Sequence, residues 1–142
     1  MEANQKKAAF LAETARLLDL ENVYILGGRA EQYGRAAAHR EQYNFVLSKA
    51  VAAAAVLAEL ALPLLLLGGQ TIFYKGPRGE EEMKEAARAI CVCGGSLANR
   101  YDYKLPAGEQ RSIYLIDKIN PTPGQYPRST GKPLRRPIRQ DL

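Results

Sequence analysis

The chain has 142 residues, of which 46% are hydrophobic and 25% charged, and Lys+Arg 20 against Asp+Glu 15 gives a formal net charge of +5. That mix suits one globular domain. The surplus charge is local: residues 118–142 hold six basic residues (Lys118, Arg128, Lys132, Arg135, Arg136, Arg139) and one acid, Asp141, while the rest of the chain carries 14 charges of each sign. A strongly basic body is excluded, whereas a local polyanion-binding arm is not.

Apolar residues at Ala8, Phe10, Leu11, Ala15, Leu17 and Leu18, with Lys6, Lys7, Glu13 and Arg16 between them, predict an amphipathic helix over residues 4–18. Val23-Tyr24-Ile25-Leu26 reads as a short strand stopped by Gly27-Gly28, and residues 29–41 as short helical turns. Residues 43–47 are apolar except for Asn44, close to the pattern of a strand buried on both faces. Residues 50–67 are apolar except for Glu59, with Pro63 inside the run. A mid-segment charge and seven alanines argue against a membrane span and for a buried helix over residues 51–62. Gly68-Gly69 then predict a turn into a strand at 71–74.

Residues 79–93 read as a helix whose first turn carries Glu80, Glu81 and Glu82, where the helix dipole favours acids. Two strand candidates, 96–105 and 112–116, are joined by Pro106-Ala107-Gly108 and expected to be antiparallel. Strands alternating with helices of this length predict an α/β sheet. Five of the eight prolines lie after Ile119, which divides the chain into a body over 1–119 and a basic Pro-rich tail over 120–142. Cys91 and Cys93 are too close to bridge readily, no Cys/His cluster completes a metal site, and the N-terminus lacks a signal-peptide core. The expected compartment is a reducing cytoplasm.

Ligands of open α/β sheets bind at the carboxyl ends of strands, so the candidates lie there. Glu2 precedes the first helix and could accept hydrogen bonds from ribose hydroxyls, or simply serve as an acid at a helix N-terminus. The Gly27-Gly28-Arg29-Ala30-Glu31 turn could bring backbone close to a flat ring, or be only a turn. Lys49 and Lys75 each close an apolar strand, where a cation needs a carboxylate or an anionic ligand. His39, the lone histidine, lies in a polar segment and suits a surface role. The tail, with Tyr126, Arg128, Lys132, Arg135 and Arg136, suits phosphate contacts along RNA and equally suits a solubilising tail.

In order, the segments EANQKKAAFL (2–11), LENVYILGGRAE (20–31), YNFVLSKAVA (43–52), LALPLLLLGGQTIFYKG (60–76), Glu80 to Glu82 and YPRSTGKPLRRPI (126–138) resemble one family over essentially the whole chain. It is the bacterial 16S ribosomal RNA guanine-N7 methyltransferases, methyltransferase G, also called glucose-inhibited division protein B. The resemblance implies a Rossmann-like S-adenosylmethionine-dependent fold, here its C-terminal portion, with a mostly parallel sheet and an antiparallel final strand. It implies that Glu2 holds the ribose, that Ala30 and Glu31 contact the adenine, and that Lys75 and the tail face the RNA. Lys49, the fourth residue the resemblance places at the cofactor, stands where the family usually has Arg, which keeps the charge without the bidentate fork.

The first strand and the glycine-rich loop that cradles the methionine half of the cofactor are absent from this sequence. In the family strand order 3-2-1-4-5-7-6, the strand at residues 43–47 then gains a bare edge and that at 23–26 loses its central neighbour. The implied function is methylation of a guanine N7 in 16S ribosomal RNA, and guanine N7, a bare lone pair, needs alignment rather than a general base. The alternative is a catalytically inactive RNA-binding remnant. A nicotinamide oxidoreductase half-domain ranks last, because no G-x-G-x-x-G occurs.

Overall fold

The computed structural model describes residues 1–139, and among them four strands form one sheet. They are β1 (Tyr43–Lys49), β2 (Leu65–Lys75), β3 (Gly95–Lys104) and β4 (Gln110–Lys118), in spatial order β1-β2-β4-β3. β1 runs parallel to β2, while β4 is antiparallel to both β2 and β3. This is the order 4-5-7-6 that the family resemblance implied, with the antiparallel pair at the far edge and β1 at the other.

The helices are α1 (Gln5–Leu17), α2 (Ala30–Arg35), α3 (Ala54–Ala61), α4 (Gly79–Val92) and the short α5 (Lys132–Arg135). A 3-10 turn, Leu62–Leu64, continues α3 into β2. Seven of the eight residues of α3 are nine-tenths buried or more, since alanines let α4 and the sheet approach from two sides. The core joins Leu57, Leu62, Leu65, Phe73, Met83, Ile90, Tyr114 and Ile116. Each large side chain there contributes about 1.5–3 kcal/mol by leaving water.

Three sequence expectations need correction. Residues 23–26 form no strand: a single parallel bridge, Glu2 to Gly27, is what remains, with Glu2 N–H on Leu26 O at 3.0 Å and Gly28 N–H on Glu2 O at 2.9 Å. A ladder needs a partner on at least one side, and Tyr24 is 81% exposed. Gly68-Gly69 is not a turn before β2 but part of it, where the register slips between Tyr43 and Phe45. A Cβ at Gly69 would lie 2.8 Å from Asn44 O, so the glycine permits that close approach. β1 is not buried on both faces, because Phe45 and Leu47 are 62% and 61% exposed.

The exposure belongs to a whole sheet face. Thr71, Phe73 and Lys75 of β2 and Ser112, Tyr114 and Ile116 of β4 point into the core under α3 and α4. Their neighbours Ile72, Tyr74, Ile113 and Leu115 stay half-buried on the other face, in register with Leu47 of β1 and Tyr101 of β3. The outer edge of β1 and this apolar face are thus both open among the described residues.

The segment after Ile119 is not a detached arm. Gly94 turns the chain at the end of α4 with φ +88°, and its carbonyl accepts from Ile119 N and Asn120 N. From there the chain crosses α2 and α3, where Pro127 and Pro133 are buried. A Cβ at Gly34 would lie 2.9 Å from Pro127 Cγ, so α2 accepts the tail only because that position lacks a side chain.

Candidate functional site

At the carboxyl end of the sheet a cleft of about 260 Å³ is lined by Glu2, Gly28, Ala30, Glu31, Val51 and Val56 among others, and closed by Gly131 and Leu134 of the tail. Glu2 Oε1 accepts from Asn4 N at 2.8 Å, which fixes its carboxyl at the start of α1. Gly28 has φ +146°, a conformation L side chains rarely adopt, and a Cβ there would crowd Gln32 and Tyr33. The Gln32 side chain accepts from Arg29 N at 3.2 Å and so starts α2 directly beneath the cleft. Glu31 is buried, and its Oε1 accepts from Gly131 N at 2.8 Å. Three of the four expected cofactor residues, Glu2, Ala30 and Glu31, therefore share one cleft.

Lys49 is exposed at the end of β1, outside that lining and in register with Tyr74. Lys75 faces inward: its ammonium donates to Ala52 O and to Glu82 Oε2, both at 2.8 Å, and is 6% exposed. The same Glu82 oxygen accepts from Ala54 N at 3.2 Å. A buried lysine needs such partners, and here they pin the loop that brings Val51 and Ala52 to the cleft. Ala50 in that loop has φ +55°, a strained conformation for a residue with a Cβ.

The tail splits the expected RNA-binding residues into two groups. Arg128 is engaged internally: its N and Nε donate to Glu59 Oε1 at 2.8 Å each, and Nη2 donates to Glu59 Oε2 at 2.6 Å. Glu59 is fully buried, and this fork holds the Arg128 guanidinium above its ordinary pKa. Tyr126 is half-buried against the core, with its carbonyl on Arg40. Lys132, Arg135 and Arg136, by contrast, are exposed around a shared concavity of about 310 Å³. Lys118, counted with the basic tail in the sequence, ends β4 as a buried side chain donating to Leu62 O and Thr122 Oγ1, with Glu41 at 3.4 Å. Burial pushes its pKa down, and Glu41 opposes that shift.

Sequence reasoning missed Arg40 and Glu41 altogether, and read Glu82 only as an acid in the first turn of a helix, not as the partner of Lys75. Arg40 donates to four carbonyls, Gly34 and Tyr126 through Nη1 and Thr122 and Pro123 through Nη2, over 2.6 to 3.3 Å. Glu41 Oε1 accepts from Thr122 N at 2.9 Å. The lone acid in the apolar stretch was a visible signal that Glu59 needs a cation, but its partner lies 69 residues away. His39 meets the Tyr33 ring edge-on and lies parallel to the Tyr43 ring, with Nδ1 2.6 Å from Tyr43 Oη, away from the cleft.

The family description rRNA small subunit methyltransferase G matches residues 1–113. The chain belongs to that family. A ribosomal RNA small subunit methyltransferase G of Leuconostoc citreum is 42% identical over 138 residues, which is 97% of this chain and 58% of the relative. One from Desulforamulus reducens is 44% identical over 139 residues, again 97% and 58%. The chain thus spans less than two thirds of the length of these relatives. Among solved structures, an O-methyltransferase from Bacillus cereus in complex with SAH superposes with a TM-score of 0.61 at 17% identity, over 82% of this chain and 60% of that one. M. jannaschii TYW2 in complex with AdoMet gives 0.57 at 17% identity, over 82% and 56%. The shared fold is the Rossmann-like α/β architecture of methyltransferases.

Proposed function

We propose that this chain forms the adenosine-binding and RNA-facing part of an S-adenosylmethionine-dependent methyltransferase that modifies a guanine N7 of 16S ribosomal RNA in the small ribosomal subunit. The observation that carries the reading is the single cleft joining Glu2, Ala30 and Glu31 to Gly131 and Leu134, with Lys132, Arg135 and Arg136 on the same C-terminal turn. The residues present fit the nucleoside end of the cofactor: a carboxylate fixed at a helix start, a glycine without a side chain in the cleft lining, and apolar walls from Val51, Val56 and Leu134. When bound, S-adenosylmethionine supplies an activated methyl group.

The chain's part is to bind, orient and exclude water. Glu2 would accept from the ribose hydroxyls, and Ala30 and Glu31 would meet the adenine edge. Lys132, Arg135 and Arg136 would hold phosphates near the cleft mouth. Guanine N7 offers a lone pair on the major-groove edge and no proton has to be removed, so alignment suffices. No side chain among the described residues is offered for the methionine end. The bare edge of β1 lies where a segment supplying it would join, and the Leuconostoc relative, of which 58% is matched, has length outside the match for one.

Calorimetric titration with S-adenosylmethionine tests the reading, first on the chain alone and then on the chain mixed with the unmatched part of the Leuconostoc relative. Weak binding alone and restored binding in the mixture is the expected pair. Tight binding by the chain alone would show that the methionine-binding loop is dispensable and that the cleft is wrongly assigned. The open edge also favours a second reading, an RNA-binding remnant without methyl transfer. RNA binding with no cofactor binding in either sample would select it.

A further inference from the structure

In sequence the basic tail suits RNA phosphate contacts or a solubilising role equally, yet an internal polar frame grips it at five points. Arg40 collects the carbonyls of Thr122, Pro123 and Tyr126, and Arg35 Nε donates to Pro127 O at 2.7 Å. Glu59 takes three hydrogen bonds from Arg128, and Arg128 Nη2 passes on to Arg136 O at 2.7 Å. Glu31 holds Gly131 N, and Glu41 holds Thr122 N. Glu59 is fully buried, so its charge is tolerated only with Arg128 in place. Between Arg128 and Arg136 the chain makes one helical turn, α5, which buries Pro133, while Gly131 and Leu134 line the cleft and Lys132, Arg135 and Arg136 stand in solvent.

We propose that Arg40, Glu59 and Arg128 are positioning residues for RNA binding: they touch no RNA, and they fix the turn that presents Lys132, Arg135 and Arg136 as one rigid phosphate-binding tripod beside the cleft. The inference rests on the RNA reading above. Its physical content is preorganisation: an arm free in solution would lose backbone and side-chain freedom on binding, while a clamped turn has already lost it. It also reassigns a charge. Arg128 neutralises Glu59 and is unavailable to a phosphate, so the tripod has three cations rather than four.

A charge argument and a positioning argument give opposite signs for one substitution. Glu59→Gln raises the net charge by one and releases Arg128. If the tail acts as a charged arm, binding to a labelled single-stranded RNA oligonucleotide tightens, and the log-log salt slope steepens by about 0.7 to 0.9. If the frame positions the turn, binding weakens roughly tenfold, from lost preorganisation, and the slope does not steepen. Because a buried substitution can unfold the protein, Arg128→Lys is measured beside it. It keeps the charge and loses the fork, so a positioning role predicts weaker binding with an unchanged slope, and an arm predicts no change. Circular dichroism at the binding temperature shows that each variant is folded. Unchanged or tighter binding in Arg128→Lys overturns the positioning role alone. A wild-type chain that binds no RNA at low salt overturns the RNA reading, and this inference with it.

Discussion

Replacing Lys75 by Met tests whether a buried ion pair sets the wall of the cleft. Lys75 Nζ makes two 2.8 Å contacts, to Ala52 O and to Glu82 Oε2, and the Glu82 oxygen also accepts from Ala54 N. Met fills the space but leaves the carbonyl and the carboxylate without their donor. Removing one partner of a wholly buried pair costs about 3–5 kcal/mol. Here the Glu82 side chain is 27% exposed and water can reach it, so the cost falls to about 2 kcal/mol. Glu82→Gln keeps an acceptor for both donors and should cost about 1 kcal/mol. Urea unfolding followed by circular dichroism gives both numbers, and amide exchange at Ala54 reports the loop directly. The expected order is wild type, then Glu82→Gln, then Lys75→Met, with faster exchange at Ala54 in both variants. Losses below about 0.5 kcal/mol in both, with Ala54 exchange unchanged, would refute the claim that this pair holds the loop.

Much of the fold was legible because it rests on local signals. The mostly apolar segment at 43–47, the three glutamates opening α4 and the Pro106-Ala107-Gly108 turn of the β3–β4 hairpin each describe structure within a few residues. Their observed elements, Tyr43–Lys49, Gly79–Val92 and the strand pair Gly95–Lys104 and Gln110–Lys118, begin or end within a few residues of the expected bounds. Residues 23–26 failed for a non-local reason: β-branched and aromatic residues favour a strand only where a neighbour completes the ladder. Gly68-Gly69 misled because a glycine pair marks close approach as well as turns, and only the position of Asn44 O distinguishes the two.

Glu2, Ala30 and Glu31, which the resemblance implied would act together, line one cleft, although a single bridge between Glu2 and Gly27 stands where strand ends were expected. The tail was not legible, since its role depends on pairs far apart in sequence. Glu59 with Arg128, and Arg40 with Thr122, Pro123 and Tyr126, are separated by 69 to 86 residues. Composition reports six cations there but not that burial takes two of them, Lys118 against Glu41 and Arg128 against Glu59. With Arg128 removed from the count, three phosphate contacts give an RNA salt slope of roughly −2 to −3, instead of the steeper value that four would give.

The remaining predictions concern the thiols, the start of the tail and the open edge of the sheet. Cys93 is buried and its pKa is pushed up to about 12, chiefly by desolvation and then by Glu59, while Cys91 is exposed. An aromatic disulfide reagent should therefore label one thiol in the native chain and two after denaturation. The unfolded thiol ionises near pH 9 while the folded one keeps its proton, so this group lowers stability as pH rises from about 9 towards 12, and Cys93→Ala should flatten that fall. Gly94→Ala places a Cβ 2.1 Å from Asn120 O at φ +88°, and should cost about 3 kcal/mol or more in urea unfolding, beyond the 1–2 kcal/mol of the left-handed backbone alone. The last prediction follows from Phe45, Leu47 and Tyr101, each more than half exposed around a sheet with an unpaired edge. Apolar area of that kind, beside free backbone N–H and C=O groups, favours association. The chain alone should bind a hydrophobic fluorescent dye and sediment with a concentration-dependent mass. Leu47→Lys should reduce both effects, and so should the unmatched part of the Leuconostoc relative if it covers the same edge. A chain that stays monomeric and dark to the dye at every concentration would mean that β1 and its sheet face are not open in solution, and the need for a completing segment would fall with them.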